Sequence, residues 1–278
     1  MLKLRIVGAV MKSIFSGFSD FLINLSGGNT ALLAVFAGII VMLLTSLGAF
    51  LAIFSKRTSN KGTEVSLAFA AGVMIVASFT SLILPGIEYA GKFYPVALGI
   101  ILGIFIVYLI EKNVPHEHII KGFEGNEEYK SKIKTAWLLV LTVVIHNLPE
   151  GLAVGTAVAF DPKLGMLTTL AIGIQDIPEG AVVALPLAII TGKRLKAIVF
   201  GVLSGFSELV MVVAGAVFFK YFSLLLPYGL GFAGGAMLYV TIKEMIPEIY
   251  KEQENEILIT LSFFVGFFVM LFLDSSLM

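Results

Sequence analysis

The chain has 278 residues, 58% of them hydrophobic and 14% charged, with 19 basic and 19 acidic side chains. Soluble domains carry about 25% charged residues, so a soluble globular domain is excluded. The absence of cysteine excludes disulfides and thiolate metal sites. The apolar residues form continuous runs, each about 20 residues long and able to cross a hydrocarbon layer of about 30 Å, which points to helices and not to an alternating barrel.

In chain order, residues 1–28 come first as a separate N-terminal segment. Val7, Val10, Met11, Ile14, Phe18, Phe21, Leu22 and Leu25 make an apolar stripe at helical spacing, with Lys12, Ser16, Ser19 and Asp20 on the other face. The expectation is an amphipathic helix lying in the membrane interface, or a ninth crossing helix. Residues 29–278 then hold eight predicted spans, at 30–54, 65–88, 95–111, 136–160, 164–190, 196–219, 225–250 and 257–276. The connectors after spans one, three, five and seven, including the long loop 112–135, carry Lys56, Arg57, Lys61, Lys112, Lys121, Lys130, Lys132, Lys134, Lys193, Arg194, Lys196 and Lys251. The opposite connectors hold Lys92, Lys163 and Lys220. Basic loops stay in the cytoplasm, so both ends of the eight-span core face outward.

Two internal echoes run through this pattern. HNLPEG (146–151) in span four returns as QDIPEG (175–180) in span five, and FAAGVM (69–74) in span two returns as FAGGAM (232–237) in span seven. Spans two and seven are an odd number apart and therefore cross in opposite directions. Inverted repeats of this kind, with broken helices at mid-membrane, mark transporters.

The first echo carries the chemistry. His146, Gln175 and Glu208 each lie ten to twelve residues into a span, near mid-membrane at a rise of about 1.5 Å per residue. His146 and Glu150 share a helix face at i, i+4, and Asn147 and Glu150 at i, i+3; Gln175, Asp176 and Glu179 repeat the arrangement. Pro149 and Pro178 have no N–H, so each deprives the carbonyl four residues earlier, Ile145 or Ile174, of its usual donor. Gly151 and Gly180 allow close helix approach. Glu150, Asp176, Glu179 and Glu208 are four carboxylates at one depth, each costing about 2.5–3.5 kcal/mol at the centre of an isolated helix. Protons, water or metal must stabilise them, and two divalent cations balance four negative charges. An imidazole, amides and carboxylates suit Zn²⁺, Cd²⁺, Fe²⁺ or Mn²⁺.

HNLPEG followed by QDIPEG on adjacent spans resembles the ZIP (Zrt/Irt-like) family of divalent-metal transporters, in its bacterial branch. SLILPG (81–86), PHEH (115–118), SGFSE (204–208), EMIPE (244–248) and FLD (272–274) extend the likeness over spans one to eight. The resemblance implies an all-α integral membrane protein with eight helices in a three-plus-two-plus-three arrangement. It implies a homodimer in the inner membrane and a binuclear centre formed by His146, Asn147, Glu150, Gln175, Asp176, Glu179 and Glu208. Many members have histidine where this chain has Gln175, which weakens the preference for zinc. Lys243, beside Glu244, also replaces a histidine, and a charged lysine cannot ligate.

Within the centre, Glu150 and Glu179 are expected to bridge two unequal sites. His146 and Gln175 belong to one; Asn147, Asp176 and Glu208 belong to the other. Outside it, Met74, Glu88 and Glu244 are candidates for an outer approach. Glu111, His116 and His118 are candidates for a cytoplasmic exit, since histidine-rich loops bind metals weakly. Gly99 and Gly103 form GxxxG, a signal for a dimer or for internal packing.

The expected function is therefore movement of divalent metal, zinc first, into the cytoplasm by alternating access, with the bilayer as solvent and no nucleic-acid partner. An intramembrane metalloprotease is the alternative from another class, but it would need HExxH on one helix, and this chain has HNLPE. A proton or sodium carrier is the third reading; His146, Asn147 and Gln175 argue against it.

Overall fold

The computed structural model describes residues 2–52, 60–113, 116–118, 122–124, 135–191, 194–250 and 255–277. Its helices are α1 (Leu2–Leu25), α2 (Thr30–Ala52), α3 (Asn60–Ala77), α4 (Leu84–Ala90) and α5 (Phe93–Asn113), followed by α6 (Thr135–Phe160), α7 (Pro162–Thr191), α8 (Arg194–Tyr221), α9 (Leu226–Val240), α10 (Ile246–Ile249) and α11 (Glu256–Leu277). Among the described residues the fold is helical apart from a small antiparallel pair in the long loop, β1 (His116–His118) and β2 (Gly122–Glu124), with His116 opposite Glu124. Among the described residues, six segments are long and apolar enough to cross a membrane: Thr30–Phe50, Glu64–Ala90, Phe93–Asn113, Arg194–Tyr221, Ser223–Met245 and Glu256–Ser275. Side chains of 135–146 and of much of 178–191 lie outside the described residues.

Local chemistry sets the turns. Gly27 and Gly28 adopt φ of 59° and 77°, which only glycine takes without strain, and they end α1. Asn29 then caps α2, its Oδ1 accepting from the amides of Ala31 (3.0 Å) and Leu32 (3.3 Å). Asp161 caps α7 through the amide of Leu164 (2.8 Å), and Pro162 fits the first helical turn, where an N–H has no helical partner. That short turn makes α6 and α7 antiparallel neighbours and brings the two PEG motifs together.

The surface is inverted relative to a soluble protein. Leu43, Phe105, Leu203 and Phe268 point outward, while Ala34, Ala71, Ala157 and Ala233 are wholly buried. Between membrane helices, attraction comes from close packing and not from the exclusion of water, so small residues gather at the interfaces. The same rule accounts for the orientation of the described part of α1. Its large residues Ile14, Phe18, Phe21 and Leu25 face outward, and the nominally polar side turns in through Ser19, which is buried and bonds the carbonyl of Ser16. Of the apolar stripe, Leu22 joins the core.

Spans two and seven are each interrupted. A π-turn, Ser78–Ile83, links α3 to α4, and another, Thr241–Met245, links α9 to α10. Each begins nine residues after the phenylalanine that opens its repeat, Phe69 or Phe232, and ends two residues before a proline, Pro85 or Pro247. A proline removes one donor from the helical ladder, and a wider turn re-registers the chain around it.

The core helices fall into two blocks. In the first, α2, α6, α7 and α8 pack on one another. In the second, α5 packs along α9, and α3 along α11. Every crossing in which a described glycine brings backbone against backbone lies inside one block. GxxxG in α5 is used this way: a Cβ on Gly99 would meet the carbonyl of Tyr228 at 2.2 Å, and one on Gly103 that of Phe232 at 2.2 Å. This motif therefore serves internal packing. Between the blocks, α3 lies on α7 and α9 lies on α6, and an apolar cavity of about 210 Å³ opens beside Pro149, Met211 and Phe232.

Candidate metal centre

Three helices of the first block bring ligand-type side chains to one buried polar cluster. Asn147 and Glu150 come from α6, Gln175 and Asp176 from α7, and Glu208 from α8; each is at most 1% exposed. Carboxylate oxygens of Glu150, Asp176 and Glu208 lie within 4.8 Å of one another. Like charges at that separation repel by about 3–4 kcal/mol per pair at an effective dielectric of about 20. A divalent cation among them turns that repulsion into attraction.

Hydrogen bonds orient the ligand atoms. Glu208 is held at both oxygens: the Asn147 amide donates to Oε1, and Thr45 Oγ1 donates to Oε2 at 2.9 Å. Asn147 also donates to Ser204 Oγ at 2.8 Å, and Ser204 lies one helical turn before Glu208. Gln175 donates through Nε2 to Glu150 Oε1 at 2.5 Å. That leaves the Gln175 carbonyl oxygen buried, with no hydrogen-bond partner among the described residues. A buried amide oxygen without a donor forfeits about 1–3 kcal/mol, which a bound cation would recover.

The motif glycines seat these helices. A Cβ on Gly151 would stand 2.6 Å from the carbonyl oxygen of Glu208, and one on Gly180 would stand 2.3 Å from that of Thr45. The residue after each PEG glutamate therefore presses its helix onto the backbone of the residue that completes the site from α8 or from α2. Gly180→Ala is expected to destabilise the protein by about 1–3 kcal/mol, the usual range for overpacking. Thermal unfolding in detergent measures it, with Gly17→Ala as control, since nothing lies within 4 Å of a Cβ there.

Of the expected ligands, Asn147, Glu150, Gln175, Asp176 and Glu208 are thus brought together. His146 and Glu179 sit on the same helices, but their side chains lie outside the described residues. Asn147 thus pairs with Glu208, and Gln175 with Glu150. Thr45 and Ser204 were not among the sequence candidates. Ser204 carries a signal in SGFSE, four residues before Glu208; Thr45 is a hydroxyl in an apolar span, with no local pattern to mark it.

The peripheral candidates separate. Met74 is buried in the second block, where its sulfur accepts from Thr241 Oγ1 at 3.6 Å, a packing contact between α3 and the turn after α9. Glu88 is exposed near the end of α4. Glu244 groups apart from Glu88. It is buried beside Lys243, whose Nζ lies 3.3 Å from Glu244 Oε1 and 2.5 Å from Glu111 Oε2, so it groups with Glu111. The reason is that α5 and α9 run parallel, and their C-terminal ends meet. The backbone of His116–His118 forms β1, which packs beside α6; the two histidine side chains lie outside the described residues.

Residues 111–274 match the family model described as ZIP zinc transporter. The chain is 38% identical to the zinc transporter ZIPB of Bordetella bronchiseptica, covering 88% of this chain and 81% of that protein. It is 38% identical to the zinc transporter GufA of Myxococcus xanthus, over 87% of this chain and 99% of that one. Against the zinc transporter ZupT of Nitratidesulfovibrio vulgaris the identity is 33%, over 86% and 93%.

Proposed function

The chain belongs to the ZIP zinc transporter family, and from that membership we propose that it carries zinc and related divalent ions into the cytoplasm across a bacterial inner membrane. The observation that carries this reading is the buried triad Glu150, Asp176 and Glu208 within 4.8 Å, beside the undonated Gln175 oxygen. His146, Asn147, Glu150, Gln175, Asp176, Glu179 and Glu208 would hold two ions, with Glu150 and Glu179 bridging. Oxygen-rich ligation with one imidazole also admits Cd²⁺, Fe²⁺ and Mn²⁺. A loosely bound ion can be released, as transport requires. The ion is cargo on this reading, and no hydrolytic chemistry is assigned.

Alternating access is supported by the division of labour between the blocks. The described site residues all belong to α2, α6, α7 and α8, and the glycine-locked crossings stay inside each block. A boundary of side chains and a cavity can slide where backbone-to-backbone contacts cannot. The matched π-turns after Phe69 and Phe232 support the eight-span inverted repeat. Glu111, His116 and His118 would receive metal leaving on the cytoplasmic side. The 24-residue length and outward apolar residues of α1 favour a ninth span. A homodimer completes the proposal, with the lipid-facing side of α5 at Leu98, Ile101 and Phe105 as its surface.

Reconstitution into liposomes tests the function. Zinc is expected to accumulate, with Cd²⁺, Fe²⁺ and Mn²⁺ competing to different degrees. Failure to accumulate any of the four refutes it. Topology is tested in the naturally cysteine-free chain. Single cysteines at Lys61 and Lys193 are expected to label from the cytoplasmic side alone, and one at Lys163 from outside alone. Labelling of all three from one side refutes the inverted repeat.

A further inference from the structure

A second polar cluster lies in the other block, away from the metal centre. Glu111, at the end of α5, and Glu244, in the π-turn after α9, are 5% and 1% exposed. One ammonium spans them: Lys243 Nζ is 2.5 Å from Glu111 Oε2 and 3.3 Å from Glu244 Oε1. Tyr239 donates its hydroxyl to the same Glu111 Oε2 at 2.8 Å. The other oxygen, Glu111 Oε1, is buried with no hydrogen-bond partner among the described residues. Two buried carboxylates with an oxygen to spare are a cation site in which the cation is supplied by the chain. The lysine is not itself buried: its side chain is 44% exposed, so the ammonium can swing out to water.

The basic connectors that follow α5 and the span of α9 put this cluster at the cytoplasmic end. On the transport reading, metal released from the centre leaves on that side. Two carboxylates without a counter-ion would retain a divalent ion there and slow its release. A tethered ammonium competes for them at very high local concentration, as any linked ligand does. It is also a compact point charge on a flexible stem and can step aside and return.

We propose that Lys243 is a built-in counter-ion of the cytoplasmic exit, holding Glu111 and Glu244 against retention of the transported metal. This rests on inward metal transport, but its first test does not require transport. Equilibrium metal content of purified protein is measured with Zn²⁺ and with Cd²⁺, for the unaltered chain, Lys243→Gln and Lys243→Arg. Glutamine keeps length and hydrogen bonding but removes the charge; arginine keeps the charge. Lys243→Gln is expected to hold one more ion per chain than the unaltered protein, and Lys243→Arg the same number. Adding Glu111→Gln to Lys243→Gln is expected to remove the extra ion, which locates it and shows that the variant is folded. In liposomes, Lys243→Gln is expected to slow zinc uptake several-fold at saturating metal, while Lys243→Arg is not. Equal metal content in Lys243→Gln and the unaltered chain overturns the proposal, as does an extra ion that survives Glu111→Gln. Should Lys243→Gln fail to fold, Lys243→Met replaces it in the same ion counts. One more ion per chain in Lys243→Met than in the unaltered protein agrees with the proposal; equal metal content overturns it. Absence of uptake by the unaltered chain refutes the transport reading, while the ion counts still judge Lys243.

Discussion

Glu150→Ala is expected to abolish metal uptake and to empty the centre. Among the described carboxylates, Glu150 is the one that both accepts from Gln175 and lies beside Asp176 and Glu208. Its Oε1 accepts from Gln175, and it lies within 4.8 Å of Asp176 and Glu208. On the two-ion reading, alanine removes a bridging charge from both ions at once. It also strips Gln175 of its acceptor, so the amide that offers its carbonyl loses its orientation. Losing a buried charged acceptor costs about 1.5–3 kcal/mol in hydrogen bonding alone, and the lost metal–carboxylate attraction adds to that. Uptake below the detection limit in liposomes, with fewer than one bound ion per chain by elemental analysis, is the expected result. A Glu150→Ala protein that still holds two ions would show that the triad is not the metal centre.

His146→Ala is expected to be equally silent in uptake, whereas Asp176→Asn is expected to transport with altered affinity. His146 precedes Glu150 by four residues, the spacing that places both on one helix face. Among the candidates for the centre it is the one imidazole, the strongest neutral ligand for a transition metal. Asp176 sits in the half that contains Glu208 and the amide of Asn147, where charge is plentiful. Asparagine keeps its shape and removes one negative charge, which weakens repulsion within the triad as well as attraction for metal. The two effects oppose each other, so affinity shifts by about tenfold or less, about 1.4 kcal/mol. Initial rates over a range of zinc concentrations separate the two variants. Near-normal uptake by His146→Ala alongside an inactive Asp176→Asn would reverse the assignment of the two sites.

The membrane class, the helix boundaries and most of the buried polar cluster were legible along the chain, for a simple reason. A polar side chain in mid-membrane is expensive, so each one there is conspicuous. Period and depth then say which of them share a face and a level. Glu150 and Asn147 share a turn of α6, and Gln175 and Asp176 stand at the matching turn of α7; both follow from a rise of 1.5 Å per residue and a short antiparallel turn. The two PEG motifs name the helices, and Glu208 is conspicuous in an apolar run.

What tertiary structure decided is which groups on different helices meet, because contacts across helices leave no periodic trace in one strand of sequence. Thr45 reaches Glu208 because Gly38 and Gly205 let α2 and α8 pack closely, a Cβ on Gly205 standing 2.8 Å from the carbonyl oxygen of Met42, and nothing in the apolar run around Thr45 announces that contact. Gly99 and Gly103 read equally as a dimer face or an internal seam until α9 is seen lying on them. Glu244 was grouped with the outer candidates until the parallel run of α5 and α9 brought it to Lys243 and Glu111. Which face of α1 turns inward is decided by packing for a related reason. An apolar stripe marks the inward side of a helix in water, but lipid rewards the same stripe for facing out, and only the packing of Ser19 and Leu22 shows which solvent α1 answers to.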